Sequence, residues 1–349
     1  MTGALTVHQV GPAVTVQDMG RPGHLSSGLS CGGAADRLAL LEGAALLDQD
    51  PSLACLEMAG MGGTFTFSRP VRVALTGGAM SAERDGAALR WHASHAIAPG
   101  QVLRIGASVS GHYGYLHIGG GLAPAAILGS RAVHITAGLG HPCATGDEIA
   151  LGTDTGGGVD QVLAVEDRFS GGQIDVLRVA QSALFDAEVQ ARFERTVFTR
   201  DPRGNRQGVR LSHAGAGFLG AGQLSVLSEV IQPGDIQMTG EGTPYVLLAD
   251  CQSTGGYPRI GTVAPYDLPR LVQAPPGAQM QLRFVDGAAA RARYEDAASQ
   301  MRRLSRACKP LLRDPARMTD LLQYRLVDGA VNAVAPAGPG ALPMEGEDG

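Results

Sequence analysis

The sequence predicts a mainly β protein (α+β in the broad sense), with a few helices and a helical extension near its end. Three observations predict it. Of 349 residues, 50 are glycine, spread along the whole chain. Where helical runs are few, so much glycine marks turns between many short strands. Apolar and polar residues alternate over short stretches up to residue 286, and beyond it the composition turns to Ala and Arg, a strong helix-forming mixture.

The elements follow in order. Residues 35–47 carry Leu38, Leu41 and Ala45 at helical spacing, and Asp36 stands in the first turn, where a negative charge suits the helix dipole. Thr64-Phe65-Thr66-Phe67 and Val71-Arg72-Val73-Ala74-Leu75 alternate as half-buried strands do. Further strands are expected over 113–118, 175–179, 245–249 and 279–284, separated by Gly and Pro clusters. A second helix is expected over 183–193 and a third over 288–307. Pro315 opens another, running through Leu321, Leu322 and Leu326 towards Val331. Residues 335–349 have the Pro, Gly and acidic composition of a disordered tail.

A faint duplication runs through the β-rich part. Thr15-Val16-Gln17-Asp18 leads into Gly20-Arg21-Pro22-Gly23 and on to Asp36. Later, Leu247-Leu248-Ala249-Asp250 leads into Gly255-Gly256-Tyr257-Pro258 and on to Asp267. Each time a strand ends at an aspartate, a Gly/Pro loop follows, and a helix opens at a second aspartate. With Gly156-Gly157-Gly158 and Gly171-Gly172 as a divider, the expected organisation is a first β-rich domain over 1–165 and a second over 166–286. A helical extension over 287–334 and a tail over 335–349 follow.

Composition narrows the chemistry. The length suits two domains. A net charge of −5 gives no electrostatic case for nucleic acid or an anionic membrane. Five cysteines, none in a C-x-x-C pair, argue against a disulfide framework or a cysteine zinc site. No signal peptide or membrane-length apolar run is evident, so the expected location is cytoplasmic, with no membrane partner. The single lysine, Lys309, has no glycine-rich loop before it. Arginine and backbone N–H groups must then supply any positive end for a phosphate or carboxylate.

The most informative segment is Ala249 to Gly261. A strand end that delivers Asp250, Gln252 and Thr254 into a glycine loop is a polar site on a rigid support. In the functional reading Asp250 is a base, Gln252 and Thr254 are hydrogen-bond donors, Tyr257 lines the same cleft and Arg259 clamps an anion. A tight turn, fastened by a bond from Asp250 to its own backbone, accounts for the same residues. Gln17, Asp18 and Arg21 form the matching candidate loop, where an Asp–Arg pair holding a turn is the plainer account. Thr76, in Thr76-Gly77-Gly78, is a third small-residue loop compatible with oxyanion contact.

Other patterns carry less. Trp91-His92-Ala93-Ser94-His95 has no carboxylate placed as in a zinc protease. His112 and His117 are an odd number apart and point to opposite faces of a strand. Gly28-Leu29-Ser30-Cys31-Gly32 matches G-x-S-x-G but lacks the preceding apolar strand of a nucleophile elbow. No metal site is expected.

At these segments and others, from residue 5 to residue 286, the sequence resembles a known family. It includes the C subunit of bacterial 5-oxoprolinase, the carboxyltransferase part of urea carboxylase (urea amidolyase, allophanate hydrolase subunit 2-like), and the antagonist of a histidine-kinase inhibitor. The resembling stretches are 15–23, 33–40, 74–78, 128–131, 137–140, 228–229, 233–237 and 247–261. The resemblance implies tandem cyclophilin-like β-barrel units and a partner subunit related to the first half of the same module. It implies three alternatives. One is the C subunit of an ATP-dependent 5-oxoprolinase, with a partner like that enzyme's B subunit, a ring-opening subunit and a small lactam or amide substrate. The second is a biotin-dependent carboxyltransferase subunit, and the third a non-catalytic antagonist. ATP, with or without magnesium, is the implied co-substrate. Covalent biotin on this chain is not expected, since no Ala-Met-Lys-Met segment is present. The sequence departs from the pattern at Gly32, where a serine is usual, at Ala35, where methionine is usual, and at Asn205, where aspartate is usual.

Overall fold

In the computed structural model, residues 3–221 and 226–311 are described. The chain is mainly β with few helices. Its first half stacks two sheets. One has the order Glu148–Ala150, Ala4–Val10, Gly63–Phe67, Leu103–Ser108, Met80–Arg84, Ala87–Ala88. The other has the order Val14–Gln17, Cys55–Ala59, Tyr113–Ile118, Val71–Gly77, Ala93–Ile97, Gln161–Val162, Lys309–Pro310. The second half is a closed barrel, in the order Gly172–Leu177, Arg259–Val263, Asp235–Met238, Pro244–Leu247, Gly208–Ser212, Val197–Arg200, Gln279–Phe284.

Side-chain alternation explains the layering. On the strand Val71–Gly77, Val73 and Leu75 join Leu5, Phe65 and Leu103 in the core between the two sheets. The intervening Ala74 faces the other way and packs with Leu41 and Leu47 of helix α1 (Arg37–Leu47). The whole strand is buried because it is covered on both faces. Tyr113 and Tyr115, on the neighbouring strand, face the barrel and share a core with Val209, Ile236 and Leu271. The two halves are thus joined by a common apolar core.

The remaining α-helices among the described residues are α2 (Ala187–Arg195), α3 (Leu268–Gln273), α4 (Gly287–Arg293) and α5 (Ala297–Ala307). Three expectations change here. The helix expected over 183–193 is a 3-10 turn, Ala180–Leu184, followed by α2, which starts anew because the Asp186 carboxylate accepts from Val189 N at 2.8 Å. The helix expected over 288–307 is broken into α4 and α5, since Asp296 caps a second start by accepting from Ser299 N at 2.7 Å. The duplicated spacing spans different elements in its two copies. The strand Arg259–Val263 lies between Asp250 and Asp267, whereas no strand separates Asp18 from Asp36. The helix expected at Pro315 and the tail over 335–349 lie outside the described residues. The helical extension docks on α1, where Leu304 of α5 shares a cluster with Leu41 and Leu46.

Candidate functional site

Two buried ion networks cross between the halves. In the first, Arg206 from the barrel donates from Nε and Nη2 to the two oxygens of Asp250, each at 2.9 Å. Its Nη1 reaches the Glu57 carboxylate and its Nη2 donates to Gly33 O at 2.6 Å, both in the first half. Glu57 also accepts from Tyr115 OH at 2.8 Å and from Ala35 N at 2.7 Å. Burial works to lower the Arg206 pKa, yet Glu57 and Asp250 hold it above its ordinary value. In the second network, Arg168 donates to Asp36 at 3.0 Å and to both oxygens of Glu42 at 2.7 and 2.9 Å. Gln273, at the end of α3, donates to the same Asp36 oxygen at 2.8 Å. Burial raises the Glu42 pKa, and Arg168 offsets part of that rise.

A cleft of ≈ 830 Å³ lies against the second network, lined in part by Glu42 and Arg168. The first turn of α1 gives it Arg37 and Leu38, the loop before it gives Gly32, and α5 gives Arg303 and Leu304. Tyr266, Asp267 and Arg270 come from the barrel side. Arg37 sits at the first position of α1, where a cation opposes the helix dipole. It is exposed, and its bonds go to Cys31 Sγ at 3.2 Å and Gly32 O at 3.4 Å, with no carboxylate among the described residues. A position so unfavourable to the helix is suited to an anion in the cleft. Asp267 is pushed up by burial, then lowered in part by accepting from Asp175 N at 2.8 Å. Burial first, and a hydrogen bond to Asp175 second, push Tyr266 up to about 12. A carboxyl of raised pKa beside arginines can move a proton next to a bound anion.

None of the nine residues singled out from the sequence lines this cleft. Asp250 is 1% exposed and points inward to Arg206; it makes no Asx turn on its own loop. Gln252, Thr254 and Tyr257 lie on the outer side, with Tyr257 exposed. Thr254 belongs to a two-stranded ribbon, Glu229–Val230 with Thr254–Gly255. Arg259 fastens that ribbon to the barrel through Glu229 at 2.5 Å and Asp235 at 3.0 Å. Gln17 is buried and donates to Thr15 Oγ1 and Val133 O, each at 3.0 Å. Asp18 does not pair with Arg21; its carboxylate accepts from Gly20 N, Ser130 Oγ and Arg131 N at 2.6 to 2.7 Å. Arg21 is buried against the carbonyls of Ile127 and Ala132. Thr76 Oγ1 donates to Ala39 O at 2.9 Å beneath α1. The two candidate loops do meet in space. Arg21 Nη1 and Asp250 Oδ1 both approach Gly32, in the cleft wall.

Sequence reasoning passed over Glu57, Arg168, Arg206, His134 and Gln273. One signal was legible. Glu42 is a lone acid within Leu38-Ala39-Leu40-Leu41-Glu42-Gly43-Ala44-Ala45-Leu46-Leu47, and an acid there needs a buried partner.

A family model described as carboxyltransferase domain, subdomain A and B, matches residues 27–285. The chain belongs to this carboxyltransferase domain family. Among members whose role has been curated, the 5-oxoprolinase C subunit of Haemophilus influenzae is 29% identical over 301 residues, covering 83% of this chain and 95% of that protein. The 5-oxoprolinase C subunit of Escherichia coli K12 is 30% identical over 277 residues, covering 78% of this chain and 88% of that protein. In fold, this carboxyltransferase family member is similar to the Kluyveromyces lactis urea amidolyase (TM-score 0.77, 22% identity) and urea carboxylase (TM-score 0.76, 23% identity). The match covers 89% of this chain but spans only 21% and 31% of those longer chains.

Proposed function

We propose that this chain is the C subunit of an ATP-dependent 5-oxoprolinase. It acts in the cytoplasm with a partner of the B-subunit type and a ring-opening subunit to convert 5-oxo-L-proline to L-glutamate. The observation that carries the reading is the likeness to two 5-oxoprolinase C subunits over most of both partners' lengths. The cleft supports it. Its size admits a small lactam together with part of a nucleotide, and Arg37, Arg270 and Arg303 offer cations in a chain whose one lysine, Lys309, lies outside the cleft. ATP supplies the phosphoryl group that activates the lactam carbonyl. This chain's residues hold and orient the anion, and Asp267 is placed to exchange a proton. Asp250 keeps a place in the site as the carboxylate behind Gly32, while Arg259 serves the ribbon on the outer side.

A second reading is kept by the family model itself, which describes a carboxyltransferase domain. In that reading the same cleft takes urea or another amide and a carboxyl group delivered on biotin by another chain. The discriminating experiment is reconstitution of the full chain with a B-type subunit and a ring-opening subunit. ATP hydrolysis that depends on 5-oxoproline and yields glutamate supports the first reading. Hydrolysis that instead requires bicarbonate, a biotinylated carrier and urea replaces it with the second.

A further inference from the structure

Arg293 closes α4, in the helical extension, where a cation suits the helix dipole. The carboxyltransferase match ends at residue 285, so this arginine lies beyond it. Arg293, Tyr266 and Asp267 all line the cleft. The guanidinium of Arg293 lies over the Tyr266 ring, 4.5 Å from its centroid, and its Nη1 donates to Asp175 Oδ2. Tyr266 OH donates to the same oxygen at 3.0 Å, and Gln173 Nε2 to Asp175 Oδ1 at 3.3 Å. Asp175 is 2% exposed, takes no part in the cleft wall, and has Arg293 as its one ion-pair partner among the described residues. A buried acid so placed needs that cation. Its backbone N–H donates to Asp267 Oδ2 at 2.8 Å, whereas Asp267 Oδ1 accepts from no donor among the described residues. Two acids thus stand together, one bound on both oxygens and the other with an oxygen to spare. Donors and a cation favour the charged form of an acid, so a proton goes to the neighbour that has fewer of them.

We propose that Arg293 is a positioning residue for Asp267: paired with Asp175 and stacked on Tyr266, it directs the exchangeable proton to the carboxyl that lines the cleft. The role in turnover rests on the function proposed above, in which Asp267 exchanges a proton. The charged and titratable groups around Asp267 are Asp175 from the barrel strand Gly172–Leu177, Arg270 from α3, Arg293 from α4 and the adjoining Tyr266. Burial raises the Asp267 pKa most and the Asp175 charge adds to it, while the bond from Asp175 N, Arg293 and Arg270 lower it. Arg270 is engaged with Gly171 O at 3.2 Å, so Arg293 is the cation that answers Asp175. Taking it away leaves Asp175 uncompensated beside Asp267, which raises the Asp267 pKa further.

The test is a carboxyl NMR titration of the full chain, with the Asp267 signal identified by Asp267→Asn. Beside it runs the pH profile of kcat/KM for 5-oxoproline-dependent ATP hydrolysis by the reconstituted subunits. Arg293→Met should raise the Asp267 midpoint by about half a pH unit or more. The limb of the profile that Asp267 sets should move to higher pH with it. Arg293→Lys keeps the charge and should restore most of the wild-type midpoint, and Asp175→Asn added to Arg293→Met should bring the midpoint back down. An arginine that only fastens the extension would, when replaced, lower the unfolding midpoint and leave the Asp267 titration and the profile in place; that result overturns the proposal. So does a titration that moves while the profile stays, or Arg293→Lys behaving as Arg293→Met does. An Asp267 shift in a protein without 5-oxoproline-driven ATP hydrolysis would retain the pairing and overturn the 5-oxoprolinase reading. Hydrolysis by wild type, with the Asp267 titration unmoved by Arg293→Met, would do the reverse.

Discussion

Gly43 shows how a single residue is fixed by a contact remote in sequence. It lies inside α1, where glycine is unfavourable, and in the sequence it is only one small residue in an apolar run. In the fold a Cβ at this position would meet the His117 ring at 2.2 Å. That ring is wholly buried beside Thr76 Oγ1, and burial pushes its pKa down to about 3, so it is neutral. Two effects of opposite sign can be compared. Alanine in a helix interior gains about 0.5–1 kcal/mol over glycine, whereas overpacking a filled core costs about 1–3 kcal/mol. Gly43→Ala is therefore expected to destabilise the chain by about 1–2 kcal/mol. Urea unfolding checks it, and a midpoint raised by the substitution would contradict the packing argument. The parity of the sequence separated His112 and His117 onto opposite faces; it did not contain the helix that one of them would touch.

At the scale of an element, α1 was legible in its extent and its apolar face but not in its partners. The expected first-turn Asp36 is the N-cap, accepting from Leu38 N at 3.1 Å and Ala39 N at 3.2 Å. Its other oxygen holds Arg168 and Gln273, one from the connection between the halves and one from the end of α3. No local pattern announces such a pair, because a capping aspartate satisfies the sequence by itself. Arg168 is the strap that lets α1 keep two buried acids, Asp36 and Glu42. Removing one member of a buried ionic group leaves the other charges unpaired, at about 3–5 kcal/mol. Arg168→Met should lower the unfolding free energy by that amount at neutral pH, and adding Glu42→Gln should restore part of it. Two single losses that merely add in the double variant would show that Arg168 and Glu42 are not coupled.

For the whole molecule, the β-rich class and the family were legible because glycine spacing, alternation and several motifs each pointed the same way. The site was only half legible. The loops around Asp18 and Asp250 were singled out as polar strand ends, and both do approach Gly32. Which of their residues face inward depended on Arg206, from a turn of the barrel, and Glu57, from a strand of the first half, brought into one network. The cleft itself was hidden, because its walls come from α1, the start of α3, and the helices that fold back from the end of the described chain. Function is proposed for that cleft and not for the outer ribbon that carries Thr254 and its exposed neighbour Tyr257. The most direct measurement compares 5-oxoproline-dependent ATP hydrolysis by the reconstituted subunits carrying Arg37→Ala or Tyr257→Ala. Arg37→Ala should lower kcat/KM at least about tenfold, the loss of one charge-assisted contact to a bound anion, with Tyr257→Ala close to wild type. Full activity in Arg37→Ala with loss in Tyr257→Ala would contradict the account and move the site to the ribbon.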